Sequence, residues 1–146
     1  MAPRHGRTLS ILVVEDDEAT AELVRTILNQ VPGWGATVVH DAAAAKEVFR
    51  HVTLEVLVVD VNLPGITGLE LLELLRNDPH WNEPPIILMS ANVEQRDLRA
   101  ALRHDGALRF IRKPFDVDEL VKVVQRAIEE REPNGVGDER RFPVER

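Results

Sequence analysis

Four short, mostly apolar strand-like runs in this 146-residue chain end at or next to polar residues able to do chemistry. Ile11 to Val14 runs into Glu15, Asp16 and Asp17, and Leu54 to Val59 into Asp60. Ile86 to Met89 ends at Ser90, and Leu108 to Ile111 is followed closely by Lys113. Two carboxylates ~4 Å apart repel by about 4 kcal/mol at an effective dielectric near 20, so converging acids want either protonation or a hard divalent cation. Oxygen-only ligands in a small site favour Mg²⁺, which retains waters and accepts phosphate oxygens. The Lys113 ammonium and the Ser90 hydroxyl complete a set suited to a phosphoryl group: metal and lysine neutralise its oxygens while the hydroxyl hydrogen-bonds one of them. A carboxylate beside such an ion can itself be the nucleophile, giving an aspartyl phosphate.

The elements that must position these residues alternate along the chain. After the first apolar run, Asp17 offers an N-cap, and Thr20, Leu23, Val24, Ile27 and Leu28 recur at helical spacing. Pro32-Gly33-Trp34-Gly35 breaks that pattern, and Ala36 to Val39 reads as a second strand. Asp41 caps a helix with the face Ala45, Val48, Phe49 and Val52. Leu54 to Val59 is apolar nearly throughout, as expected of a strand covered on both faces. Gly68, Leu71, Leu72 and Leu75 mark a third helix, and the proline-rich stretch from Asn77 to Pro85 a loop. Asn92 with Gln95 resembles a capping box opening a mostly polar fourth helix that Gly106 stops. Asp116 with Glu119 forms another, ahead of the stripe Leu120, Val123, Val124, Ala127 and Ile128.

Five strands alternating with five helices imply an α/β fold: a parallel sheet covered on both faces, a doubly wound three-layer sandwich. The expected flavodoxin-like strand order is 2-1-3-4-5, with ligands at the carboxyl ends of the strands. One domain over residues 9–130 is expected, with flexible tails at 1–8 and 131–146, the latter read as tail or linker.

Composition narrows the chemistry. There are no cysteines, which excludes disulfides, thiolate metal sites and a cysteine nucleophile. A net charge of −7 disfavours direct nucleic-acid binding. No apolar run approaches the roughly 20 residues of a membrane span, and residues 1–10 do not read as a signal peptide, so a cytoplasmic protein is expected.

The segments Ile11-Leu12-Val13-Val14-Glu15-Asp16, Val58-Val59-Asp60-Val61-Asn62-Leu63-Pro64-Gly65, Met89-Ser90-Ala91 and Phe110-Ile111-Arg112-Lys113-Pro114-Phe115 resemble the receiver domain of bacterial two-component response regulators. The spacings agree: 44 residues from Asp16 to Asp60, 30 more to Ser90 and 23 more to Lys113. The resemblance covers about residues 9–130, and four ordered motifs make it specific. It implies that Asp60 is the phosphoacceptor. Asp16 would hold Mg²⁺ directly, Glu15 through water, and Asn62 through its backbone carbonyl. Ser90 and Lys113 would bind the phosphoryl group, Phe110 would follow Ser90 as the switch aromatic, and the Lys113–Pro114 bond would be cis.

The resemblance also implies a switch module rather than an enzyme, one that catalyses only its own phosphoryl transfer and autodephosphorylation. The donor would be the histidine of a sensor kinase or phosphotransfer protein, and the output a protein target. The moving face would be the fourth helix, fifth strand and last helix, and through it the chain would be a monomer or weak dimer. Against the family pattern, Phe110 replaces the commoner Tyr and Thr67 stands where many relatives carry Asp. Asn62 and Asn92 occupy positions that tune phosphoryl lifetime.

Plainer readings stand beside these. Asp17 is read as a cap and nothing more. The histidines at 5, 40, 51, 80 and 104 lack ligand spacing and are read as surface residues. Arg96, Arg99, Arg103, Arg109 and Arg112 are read as a partner surface. A phosphohydrolase of the haloacid-dehalogenase type would want a second acid where Asn62 stands. A flavin binder would want a Ser/Thr/Gly-rich loop where three acids follow the first strand.

Overall fold

The computed structural model describes residues 8–91 and 108–131. In chain order these hold β1 (Leu9–Val14), α1 (Glu18–Asn29), β2 (Trp34–Val39), α2 (Ala42–His51), β3 (Val56–Asp60), α3 (Gly68–Arg76), β4 (Ile86–Ser90), β5 (Leu108–Arg112) and a C-terminal helix (Val117–Arg131). The five strands form one parallel sheet in the order β2-β1-β3-β4-β5, the order expected from the alternation of patterns.

Period-two alternation sorts the strand residues to two faces. Ile11, Val13, Val56, Val58, Ile87 and Met89 pack with α1 and the C-terminal helix. Leu12, Val14, Leu57, Val59 and Leu88 pack with α2 and α3. Every residue of β3 from Val56 to Val59 is fully buried, as a central strand covered by helices requires. Burying an aliphatic side chain contributes about 1.5–3 kcal/mol, so this run firmly anchors the residue at its carboxyl end, Asp60.

Each helix starts where a side chain satisfies its open N–H groups. Asp17 accepts from Thr20 N at 2.8 Å and Asp41 from Ala44 N at 2.8 Å. Thr67 and Glu70 form a reciprocal capping box at α3. Asp116 and Glu119 form the same pair of bonds at the C-terminal helix, as the sequence suggests. The Asn92/Gln95 box and the fourth helix lie outside the described residues.

Several expectations need correction. Leu23 is 52% exposed, because the buried stripe of α1 is Ala21, Val24, Ile27 and Leu28; Leu23 falls off that stripe. Val52 is 40% exposed, since it is the extended C-cap of α2 and no longer shares the helix face of Ala45 and Phe49. β2 begins at Trp34 rather than Ala36: only Gly33, at φ +88°, makes the turn, and Trp34 already pairs with Leu9. β3 begins at Val56 rather than Leu54, although Leu54 is buried.

Candidate functional site

Register brings the polar strand ends together. Val14 pairs with Val59, so Glu15 and Asp60 leave neighbouring strands at the same level. Asp60 pairs with Met89 and Ser90 with Arg112, which sets Ser90 and Lys113 one step further along the same edge. The backbone continues these ladders past the strands: Glu15 N donates to Val39 O at 3.0 Å, Val61 N to Met89 O at 2.8 Å and Lys113 N to Ser90 O at 2.9 Å.

Lys113 joins the acids. Its Nζ lies 2.8 Å from Glu15 Oε1 and 3.0 Å from Asp60 Oδ2. The other carboxylate oxygens are held by main chain, Asp60 Oδ1 by Asn62 N at 3.0 Å and Glu15 Oε2 by Asp17 N at 3.1 Å. Glu15 is fully buried and Asp60 nearly so. Burial pushes the Glu15 carboxyl above its ordinary pKa and outweighs the opposing bond from Lys113; the nearby Asp60 carboxylate pushes the same way. Burial would lower Lys113, but its bonds to Glu15 and Asp60 dominate and hold the ammonium above its usual range. The cation is therefore fixed as a charge.

Asp16 is exposed beside this pair. Carboxylate oxygens of Glu15, Asp16 and Asp60 lie within 4.8 Å of one another, a group that could hold a metal ion. Three acids against one lysine leave two formal negative charges if all are ionised. All donors are oxygens, so the set fits a hard divalent cation. Ser90 is fully buried at the end of β4. Phe110 is half-buried and packs against the core face that holds α2 and α3. The Lys113–Pro114 bond is cis, as expected. Thus Glu15, Asp16, Asp60, Asn62, Ser90 and Lys113 meet at one sheet edge, with Phe110 on the adjoining strand.

Sequence reasoning overlooked two neighbours. Gly68 opens α3 against the back of Asp60; a Cβ there would lie 2.5 Å from the Asp60 carbonyl oxygen. Its only signal in the sequence is a glycine directly after a capping threonine. His40 is exposed, as read, yet its ring Nδ1 lies 2.9 Å from the Glu15 carbonyl oxygen. Nothing in residue spacing points to that contact. Of the arginines, Arg109 bonds Glu130 of the C-terminal helix and Arg112 is exposed. Arg96, Arg99 and Arg103 lie outside the described residues. Among the described residues no helix is long and apolar enough to cross a membrane.

A family model for the response regulator receiver domain matches residues 11–125. The regulatory protein AtoC of Escherichia coli is 31% identical over 119 residues, covering 82% of this chain and 25% of AtoC. The transcriptional regulatory protein TrcR of Mycobacterium tuberculosis is 34% identical over 116 residues, 80% of this chain and 44% of TrcR. The chain thus spans less than half the length of these curated relatives. Among solved structures, a sensor protein from Polaromonas is similar with a TM-score of 0.71 at 30% identity, over 87% of this chain and 98% of that one. A putative response regulator from Chloroflexus aurantiacus gives a TM-score of 0.74 at 27% identity, over 84% and 99%.

Proposed function

The chain belongs to the response regulator receiver domain family, and on that premise we propose that it is a phosphorylation-dependent signalling switch with Asp60 as phosphoacceptor. The observation that carries this reading is the Lys113 ammonium bridging Glu15 Oε1 and Asp60 Oδ2, which gathers the acids and the cation at one point. In the reaction a carboxylate oxygen of Asp60 attacks the phosphorus of a phosphohistidine. The O–P bond forms, the P–N bond breaks, and the imidazole leaves with the electron pair of that bond.

Each residue has a task. The Asn62 N–H holds Asp60 Oδ1, which fixes the direction of the carboxylate. Lys113 is already charged and positioned for the phosphoryl oxygens, so little reorganisation is needed during transfer. The Ser90 hydroxyl binds one of those oxygens. Asp16, Glu15 and Asp60, with the Asn62 carbonyl, would hold Mg²⁺, Glu15 through water as the family resemblance implies. Bound there, the ion would supply the positive charge that lets a dianionic phosphoryl group approach three carboxylates.

Phosphorylation then draws Ser90 inward and Phe110 follows, biasing the face that includes β5 and the C-terminal helix toward a protein partner. A histidine kinase or histidine phosphotransfer protein in the cytoplasm is the proposed donor. Amide NMR spectra with Mg²⁺ plus beryllium fluoride, or with a small acyl phosphate, test the reading. Shifts centred on Asp60 are expected in the wild type and none in D60N; an unchanged response in D60N overturns it.

A further inference from the structure

The two buried acids of the site are pinned by side chains and main chain, whereas Asp16 is exposed and depends on its own backbone for its direction. That backbone is gripped from β2. The peptide joining Glu15 to Asp16 carries the Glu15 carbonyl, and this oxygen meets the His40 ring Nδ1 at 2.9 Å. A carbonyl only accepts, so Nδ1 carries the hydrogen and donates it. On the other side of Glu15, its N–H donates to Val39 O at 3.0 Å. At Asp41 the chain turns to cap α2, and the His40 ring supplies a donor where the strand ladder runs out. The imidazole therefore extends the β1–β2 pairing by one bond and sets the plane of the Glu15–Asp16 peptide.

We propose that His40 is a positioning residue for the divalent-cation site: its Nδ1–H, by holding the Glu15 carbonyl, aims the Asp16 carboxylate at the ion. The inference rests on the metal reading of Glu15, Asp16 and Asp60. Groups that orient metal ligands from behind affect affinity by about 10–100-fold when removed, and His40 acts at an exposed loop, so the low end applies. The geometry also makes a distinction between amides. The Nδ2–H₂ of asparagine occupies nearly the place of the histidine Nδ1, while the amide of glutamine reaches about as far as Nε2 and misses it.

The experiment is calorimetric titration of the full chain with MgCl₂ alone, for wild type, H40A, H40N and H40Q, with circular dichroism checking the fold of each. H40A and H40Q should bind Mg²⁺ about tenfold more weakly, and H40N should return close to wild type. Wild-type affinity in H40A overturns the inference. So does an H40N as weak as H40A, which would assign the effect to ring bulk rather than to the bond. A wild-type protein that binds no Mg²⁺ overturns the metal reading itself, and the two failures are thereby distinguished.

Discussion

Substituting Gly68 with alanine tests whether packing behind Asp60 sets its chemistry. The added methyl would lie 2.5 Å from the Asp60 carbonyl oxygen, 3.0 Å from Val59 Cγ1 and 3.0 Å from Val61 Cα. Two of these neighbours are main chain, so rotating a side chain cannot relieve the contact. The start of α3 and the end of β3 must separate by about 1 Å to reach the 3.4 Å of ordinary contact. Overpacking of this kind costs about 1–3 kcal/mol. The better helix propensity of alanine offsets about 1 kcal/mol of this, leaving a net loss of about 0–2 kcal/mol. The displaced oxygen belongs to Asp60 itself, so the carboxylate moves away from the Asn62 N–H and from Lys113. A misplacement near 1 Å can lower a rate about 10²-fold. Urea unfolding reads the first effect; the rate of phosphorylation by a small acyl phosphate at saturating Mg²⁺ reads the second. A G68A protein as stable and as fast as wild type would refute the close-approach argument. Lost stability with an unchanged rate would show that α3, not Asp60, gives way.

Three further outcomes are expected. K113M leaves buried Glu15 and Asp60 facing each other without a cation, and should lose roughly 3 kcal/mol in urea unfolding without Mg²⁺; because Lys113 is raised above its ordinary 10.5, the difference from wild type at neutral pH should hold up to that value and fade as pH rises through the higher folded value. D17A removes the cap of α1; the side-chain and backbone bonds from Thr20 hold Asp17 below its ordinary 3.8, so the difference in melting temperature should be full above pH 3.8 and shrink as pH falls through the lower folded value. Mg²⁺ at ten times its dissociation constant should stabilise the wild type by about 1.4 kcal/mol in urea unfolding, an increment lost in EDTA; an equal increment in D16A would remove Asp16 from the site.

Much of this protein is legible in its sequence because its elements follow local rules. The nearly all-apolar run from Leu54 to Val59 announces a strand covered on both faces, of which Val56 to Val59 are buried in β3, and Asp17, Asp41 and Asp116 each cap the helix that their position suggests. Alternation of strand and helix, with right-handed crossovers, then leaves few sheet orders, and the strand-end residues fall on one edge by connectivity alone. The amino-acid types at those ends suggest the proposed chemistry before any distance is known.

What only the tertiary structure decides is set by contacts between residues far apart in the chain. The bridge from Lys113 to Glu15 spans 98 positions and depends on the register of four strands. The pressure of Gly68 on Asp60 depends on how closely α3 docks, and the grip of His40 on the Glu15 carbonyl on where β2 turns into α2. Leu23 and Val52 read as core by periodicity, yet one lies off the buried stripe of α1 and the other is the extended C-cap of α2, and both are exposed. Periodicity reports one element's own geometry, whereas burial and hydrogen bonding are settled by the neighbour that arrives from elsewhere in the sequence.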